Sequence, residues 1–339
     1  MRALVTGGGG FLGRYIVERL RERGDEVRVL CRGDYPELRA MNVELCRGDI
    51  RDANAVARAC EGRDIVFHTA AIAGIWGPKS EYFAVNTRGT AHVIAGCQLA
   101  GVSRLVHTSS PSVIYNGVGP AGVHHEGADE SLPYPSRFLC AYPESKAHAE
   151  RLVLEANGEQ GLSTCALRPH LIWGPRDNHL FPRLIARAKS GRLRRVGSGV
   201  NRISTVHVAT AAAAHLQAAD KLAPGSPVAG KAYFVNDSRP VEMWPWIDRI
   251  LELAGLPPVK KRIGLAGAYR LGAVLEGVYR VCGFQAEPPM TRFLALQMGT
   301  SHFYSTARAE RDFGFHPVVD PDAALDAMAE ELRAIARRV

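Results

Sequence analysis

Near the start of the chain the apolar run Ala3-Leu4-Val5 leads at once into Thr6-Gly7-Gly8-Gly9-Gly10-Phe11-Leu12-Gly13, and then into the helical pattern Tyr15, Ile16, Leu20. Few folds accept a short buried strand, a glycine turn and a helix in that order. Glycine lets the backbone turn tightly and approach a phosphate, and the following helix start offers unpaired N–H groups with the positive end of its dipole. The order predicts a dinucleotide cradle formed by Gly7, Gly10, Phe11, Leu12 and Gly13 at the edge of a parallel sheet. Short apolar segments alternate with helical ones as far as about Trp173. The fold expected is therefore α/β, a doubly wound parallel (Rossmann) sheet with a smaller, mostly helical C-terminal substrate lobe. Residues 1–175 plus about 201–237 are assigned to the sheet domain, and about 176–200 and 238–339 to the lobe.

Tyr142-Pro143-Glu144-Ser145-Lys146 places a phenol and an amine four residues apart, hence on one helix face. Pro143 fits only a first turn, so Tyr142 stands at the helix start. A free phenol titrates near a pKa of about 10, and an adjacent ammonium with a cationic ring favours the phenolate, so the pair is expected to move protons near neutral pH. Leu105-Val106-His107-Thr108-Ser109-Ser110 reads as a fifth strand ending in hydroxyls at the carboxyl edge of the sheet. Ser110 is the expected holder of a substrate oxygen and Ser109 the competing choice. Both also suit a plain turn cap. After the strand Glu26-Val27-Arg28-Val29-Leu30, Cys31 and Arg32 occupy the place where an acid would repel a 2′-phosphate. A guanidinium there pairs with that phosphate, so NADP(H) is favoured over NAD(H). Ile65-Val66-Phe67-His68 is read as a third strand with a packed histidine at its end, and Ala70 and Ala71 beyond it leave room for the middle of the cofactor.

With the TGxxGxxG spacing of Gly7, Gly10 and Gly13, the chain resembles the extended short-chain dehydrogenase/reductases over nearly its whole length. His107-Thr108-Ser109-Ser110-Pro111-Ser112-Val113-Ile114-Tyr115, the Tyr-Pro-x-Ser-Lys segment and Tyr304-Ser305-Thr306-Ala307-Arg308-Ala309 before Phe313-Gly314-Phe315-His316-Pro317 resemble the 3β-hydroxysteroid dehydrogenase branch. Arg32-Gly33-Asp34-Tyr35-Pro36-Glu37-Leu38 with Ala73-Gly74-Ile75-Trp76-Gly77 is similar to the bacterial 2-alkyl-3-oxoalkanoate reductases of olefin biosynthesis. The resemblance implies that Asp49 and Ile50 contact adenine, that Asn86 in Val85-Asn86-Thr87-Arg88-Gly89-Thr90 supports the site, that Lys146 also holds the nicotinamide ribose, and that Pro169 lies beside the nicotinamide. It implies an oxidoreductase interconverting a ketone and a secondary alcohol on a hydrophobic substrate. Its alternatives are a 3β-hydroxysteroid (4-carboxylate) dehydrogenase, a nucleotide-sugar epimerase or dehydratase, and a non-catalytic NADP(H)-sensing protein.

The chain carries a formal charge of +8, but its basic residues are scattered among acids, with only 183–195 concentrated and free of aromatics. That argues against nucleic acid as a partner. Seven cysteines without paired metal spacing fit a reducing cytoplasm, and no metal is expected, His124-His125-Glu126 included. Leu271, Val274, Leu275, Val278, Tyr279 and Val281 form an amphipathic stripe, expected as core or a homodimer face, with attachment to a membrane surface or a pathway enzyme as the other outcome. Leu271, Leu275, Tyr279, Phe284, Phe293, Leu294, Leu296 and Met298 are also apolar enough to line a lipid pocket.

Overall fold

The computed structural model describes residues 1–117 and 119–339. Seven parallel strands make the central sheet, in the spatial order Lys231–Val235, Ser163–Pro169, Arg104–Thr108, Ile65–His68, Arg2–Thr6, Glu26–Cys31, Glu44–Arg47. The period of two sorts the first strand's side chains. Ala3 and Val5 enter a core with the helices Phe11–Glu22 and Val208–Lys221. Leu4 enters the opposite core with Ala53–Cys60, Gly89–Leu99 and Ala141–Glu155. Helices therefore cover both faces, as a parallel sheet requires. The expected doubly wound Rossmann sheet is present. Its edge strand Glu44–Arg47 escapes a sequence reading because it is half exposed and has no β-branched residue. With it counted, Ile65–His68 is the fourth strand.

The smaller lobe has its own core, which includes Trp173, Phe181, Ile185, Trp244, Ile250, Leu251 and Leu332. It also has a four-stranded sheet ordered Val241–Glu242, Arg202–Ile203, His302–Tyr304, His125–Ala128. The expected boundaries are crossed in both directions. Arg202–Ile203 and His125–Ala128 pair inside the lobe sheet. Conversely Ala309, Phe313 and Phe315 join the core of the central sheet, where the Phe313 ring meets that of Tyr233 edge-on at 5.1 Å.

For the helix Leu265–Val281 the core alternative does not hold, which leaves the homodimer face and surface attachment as proposals. Its inward residues are Ala268, Gly272 and Glu276, and a Cβ on Gly272 would lie 2.5 Å from the Thr291 backbone. Glu276 is satisfied there by the backbone N–H of Arg292 at 2.7 Å and by its guanidinium at 2.7 and 3.0 Å. Leu271, Val274, Val278 and Val281 face outward instead of joining the core. Among the described residues no helix is long and apolar enough to cross a membrane.

Candidate active site

Close approach defines the cradle. Gly7 has φ +72°, and a Cβ on it would lie 2.9 Å from the Ala70 backbone. A Cβ on Gly13 would stand 2.3 Å from the Gly7 carbonyl oxygen. The Gly7 N–H donates to the Leu30 carbonyl at 3.0 Å and the Gly10 N–H to the Gly7 carbonyl at 2.9 Å, which ties the turn to the second strand. The helix beginning at Phe11 has Gly10 as its cap, no capping side chain and no acid in its first turn. The first N–H groups, those of Phe11 and Leu12 included, and the positive dipole end are thus left for an anion. These residues fit a dinucleotide's pyrophosphate. The Tyr35 ring lies against Gly9, where a Cβ would come within 2.3 Å of it, a contact no sequence signal announces.

Arg32 is exposed just past the end of the second strand, and the nearby acid Asp34 pairs with Arg39 at 3.0 Å. Asp49 is engaged by Arg51 at 2.9 and 3.1 Å, and this hydrogen bond holds its carboxyl below the usual range. Ile50 is turned into the core, where its side chain fills the space left by Gly89. The inferred adenine contacts thus already have protein partners. Ala70 packs on Gly7, and Ala71 is exposed.

At the other end of the site the helix Ala141–Glu155 presents Tyr142 in its first turn. Ser110 is hydrogen-bonded to the phenol, which burial nonetheless holds above its ordinary pKa. The protein's own groups therefore keep Tyr142 protonated. Ser110 also caps the short helix Pro111–Ile114, its Oγ accepting from the Ser112 N–H at 3.2 Å. The turn cap foreseen for this serine is therefore present, beside its bond to the phenol. Ser109 is buried away from the cavity that Ser110 and Tyr142 line.

Lys146 is 2% exposed, and its Nζ donates to the Thr108 carbonyl at 2.6 Å and lies 3.2 Å from His107 Nε2. Burial pushes it down to about 8, against the opposing pull of Glu150. Asn86 stitches two elements together. It accepts from the Ile72 N–H at 2.8 Å, and its amide donates to the Ile72 carbonyl at 3.1 Å and to Ser145 Oγ at 3.0 Å. Ser145 in turn donates to the Tyr142 carbonyl at 2.9 Å. Pro169 is buried at the end of its strand, and the next residue, His170, lines the cavity. Of the two adjoining histidines, His124 accepts from the Ser301 N–H at 3.1 Å and His125 meets Asn116 at 3.0 Å.

The cavity holds about 260 Å³. Ile75 also lines a larger one of about 470 Å³, walled by Trp76, Phe138, Leu139, Tyr279 and Phe284. Of the late apolar residues expected to line a pocket, Tyr279, Phe284 and Phe293 do so, whereas Leu271 faces solvent and Leu296 and Met298 are core.

Burial holds several histidines neutral, His68 down to about 3, His170, His207 and His215 to about 4, and His107 and His302 well below their ordinary value. His68 is a packed residue, with its two ring nitrogens 2.7 and 2.9 Å from the hydroxyls of Thr6 and Thr90. Unfolding returns each ring to about 6.5, so below that pH the unfolded chain takes up protons the folded one refuses. Stability is complete above pH 6.5 and falls toward pH 4, by up to about 1.4 kcal/mol per histidine per pH unit. Urea midpoints measured from pH 7.5 to 4.5 are expected to drop steeply below 6.5. A flat profile contradicts this.

A parallel Rossmann sheet whose first turn is a glycine cradle defines a dinucleotide-binding protein. A family profile described as 3-beta hydroxysteroid dehydrogenase/isomerase matches residues 4–265, and the chain belongs to that family. It is 47% identical over 325 residues to a protein of Stenotrophomonas maltophilia called 2-alkyl-3-oxoalkanoate reductase, covering 96% of this chain and 97% of the other. A protein of the same name from Shewanella oneidensis is 43% identical over 337 residues, covering 97% and 86%. Among solved structures, MoeE5 in complex with UDP-glucose and NAD is similar at a TM-score of 0.73 and 26% identity, covering 100% and 99%.

Proposed function

We propose that this protein is an NADP(H)-dependent oxidoreductase that reduces 2-alkyl-3-oxoalkanoates to 2-alkyl-3-hydroxyalkanoates. The observation that carries the reading is the opening of Ser110 and Tyr142 onto one cavity, with Lys146 a helical turn behind the phenol. The name of the 47% identical relative supports the substrate class. In this reading Ser110 donates a hydrogen bond to the ketone oxygen. Tyr142 gives that oxygen its proton as the carbonyl carbon becomes a carbinol, and it recovers a proton from solvent afterwards. When bound, the nicotinamide supplies the hydride. Gly7, Gly10, Phe11, Leu12 and Gly13 would hold its pyrophosphate, Ala70 and Ala71 its middle, Lys146 its ribose, and Pro169 the ring's edge. Asn86 fixes the catalytic helix against the loop beside the cradle.

Turnover of a stable 2-alkyl-3-hydroxyalkanoate with NADP⁺ tests the activity, run beside a 3-hydroxysteroid and a nucleotide sugar. The lipid acid is expected to lead in kcat/KM by about 100-fold. A sugar or steroid in first place overturns the reading.

NADP(H) selectivity rests on Arg32, an exposed guanidinium past the second strand with its neighbouring acid, Asp34, paired with Arg39. Arg32→Ala is expected to raise the KM for NADPH by roughly 10- to 30-fold and leave that for NADH within about twofold. Equal losses with both cofactors remove Arg32 from the selectivity argument.

A further inference from the structure

A 2-alkyl-3-oxo acid carries its carboxylate one carbon from the ketone, so a site that puts the ketone on Ser110 and Tyr142 must meet that charge within the same cavity. Among the described residues lining the cavity, Arg183 alone bears a formal charge. The one imidazole there is His170, held neutral by burial at about 4, its Nδ1–H donating to the Ser204 carbonyl at 2.6 Å, and burial keeps the phenols of Tyr142 and Tyr304 protonated. Arg183 lies on the helix Leu180–Lys189, whose start is clamped by Asp177 accepting three backbone N–H groups at 2.8 to 3.1 Å and whose inner face buries Phe181 and Ile185.

Charge bookkeeping around this arginine is incomplete. Glu287 Oε1 accepts from Arg183 and, at 3.3 Å, from Arg187 one turn on. Two guanidiniums thus share one carboxylate. Burial pushes Arg183 below its ordinary value, and burial with repulsion from Arg183 pushes Arg187 down to about 10. A second carboxylate entering from the cavity would relieve both cations. A guanidinium also keeps donors for it, because it has five N–H groups.

We infer that Arg183 receives the substrate carboxylate, with Arg187 and Glu287 holding it in place, so that this enzyme selects 3-oxo acids over simple ketones. The inference rests on the reductase reading above. It gives the two cavities a division of labour: the polar head is fixed between Tyr142 and Arg183, and the alkyl chains continue past Ile75 toward Trp76, Tyr279 and Phe284.

The test compares oxidation of a 2-alkyl-3-hydroxyalkanoate with that of the secondary alcohol of the same chain lacking the carboxylate, at saturating NADP⁺. Arg183→Met is expected to raise the KM for the acid by about 100-fold, with kcat within about threefold and the KM for the alcohol unchanged. Arg183→Lys is expected to recover about tenfold of that loss. On wild-type protein, a 2-alkylalkanoate is expected to inhibit at least about 30-fold more tightly than its methyl ester, a readout that needs no variant to fold. An unchanged KM for the acid, equal losses on both substrates, or equal inhibition by acid and ester overturns the inference alone. Wild-type protein that oxidises neither substrate overturns the reductase reading and the inference with it.

Discussion

Tyr142→Phe is expected to lower kcat for ketone reduction by about 10³-fold while leaving the cofactor's dissociation constant within about twofold. The substitution keeps the ring, which meets Tyr82 edge-on at 6.4 Å, and removes only the hydroxyl bonded to Ser110. Burial raises the phenol, so it carries its proton at neutral pH, the state a proton donor needs. Reduction by the wild type should therefore stay level between pH 6 and 7, below the titration of Lys146 at about 8, and the residual rate of the variant should show no dependence on a tyrosine. Single-turnover kinetics and cofactor titration separate chemistry from binding. Wild-type turnover by Tyr142→Phe with cofactor bound would remove Tyr142 from the chemistry.

The second large effect lies beneath the site. Arg168 and Glu150 form a buried ion pair at 2.6 and 2.9 Å, with the Tyr134 hydroxyl donating to Glu150 at 2.6 Å. Burial works to raise the Glu150 carboxyl, but the Arg168 charge and hydrogen bonds outweigh it, so both groups stay ionised. Arg168→Ala leaves a carboxylate without its cation in the interior and is expected to cost about 3–5 kcal/mol, read from urea unfolding. Replacing both partners by apolar residues, Arg168→Met with Glu150→Leu, is expected to recover most of that loss, because no lone charge remains. A single variant as stable as the wild type contradicts the account. Glu150 sits one turn beyond Lys146 and raises its proton affinity, so this carboxylate also acts on that amine.

What the sequence discloses follows from the range of the interactions. The cradle, the strands and the Tyr142–Lys146 helix depend on neighbours within a few residues, and glycine spacing or hydrophobic period expresses them directly. The choice between Ser109 and Ser110 turns on the direction of one strand end, and only coordinates show Ser110 beside the phenol. Nothing beside Arg168 in the sequence announces its ion pair, because Glu150 lies 18 residues away on another element. Arg183 reads as one of many arginines, since nothing local reveals that its helix faces a cavity. The stripe of Leu265–Val281 leaves core and homodimer face both open in the sequence for the reverse reason: periodicity identifies an apolar face but not which way it points.

The segment around Phe313 finishes the nucleotide-binding half from the far end of the polymer. Its Ala309, Phe313 and Phe315 pack with Tyr233 and Val235, and Asp312 accepts from the Tyr233 hydroxyl at 2.9 Å. Synthesis through the final sheet strand therefore leaves that half with a bare flank until some eighty more residues are made. A fragment cut at the end of that strand is therefore expected to lack this flank and to be less stable than the whole chain as a nucleotide-binding module.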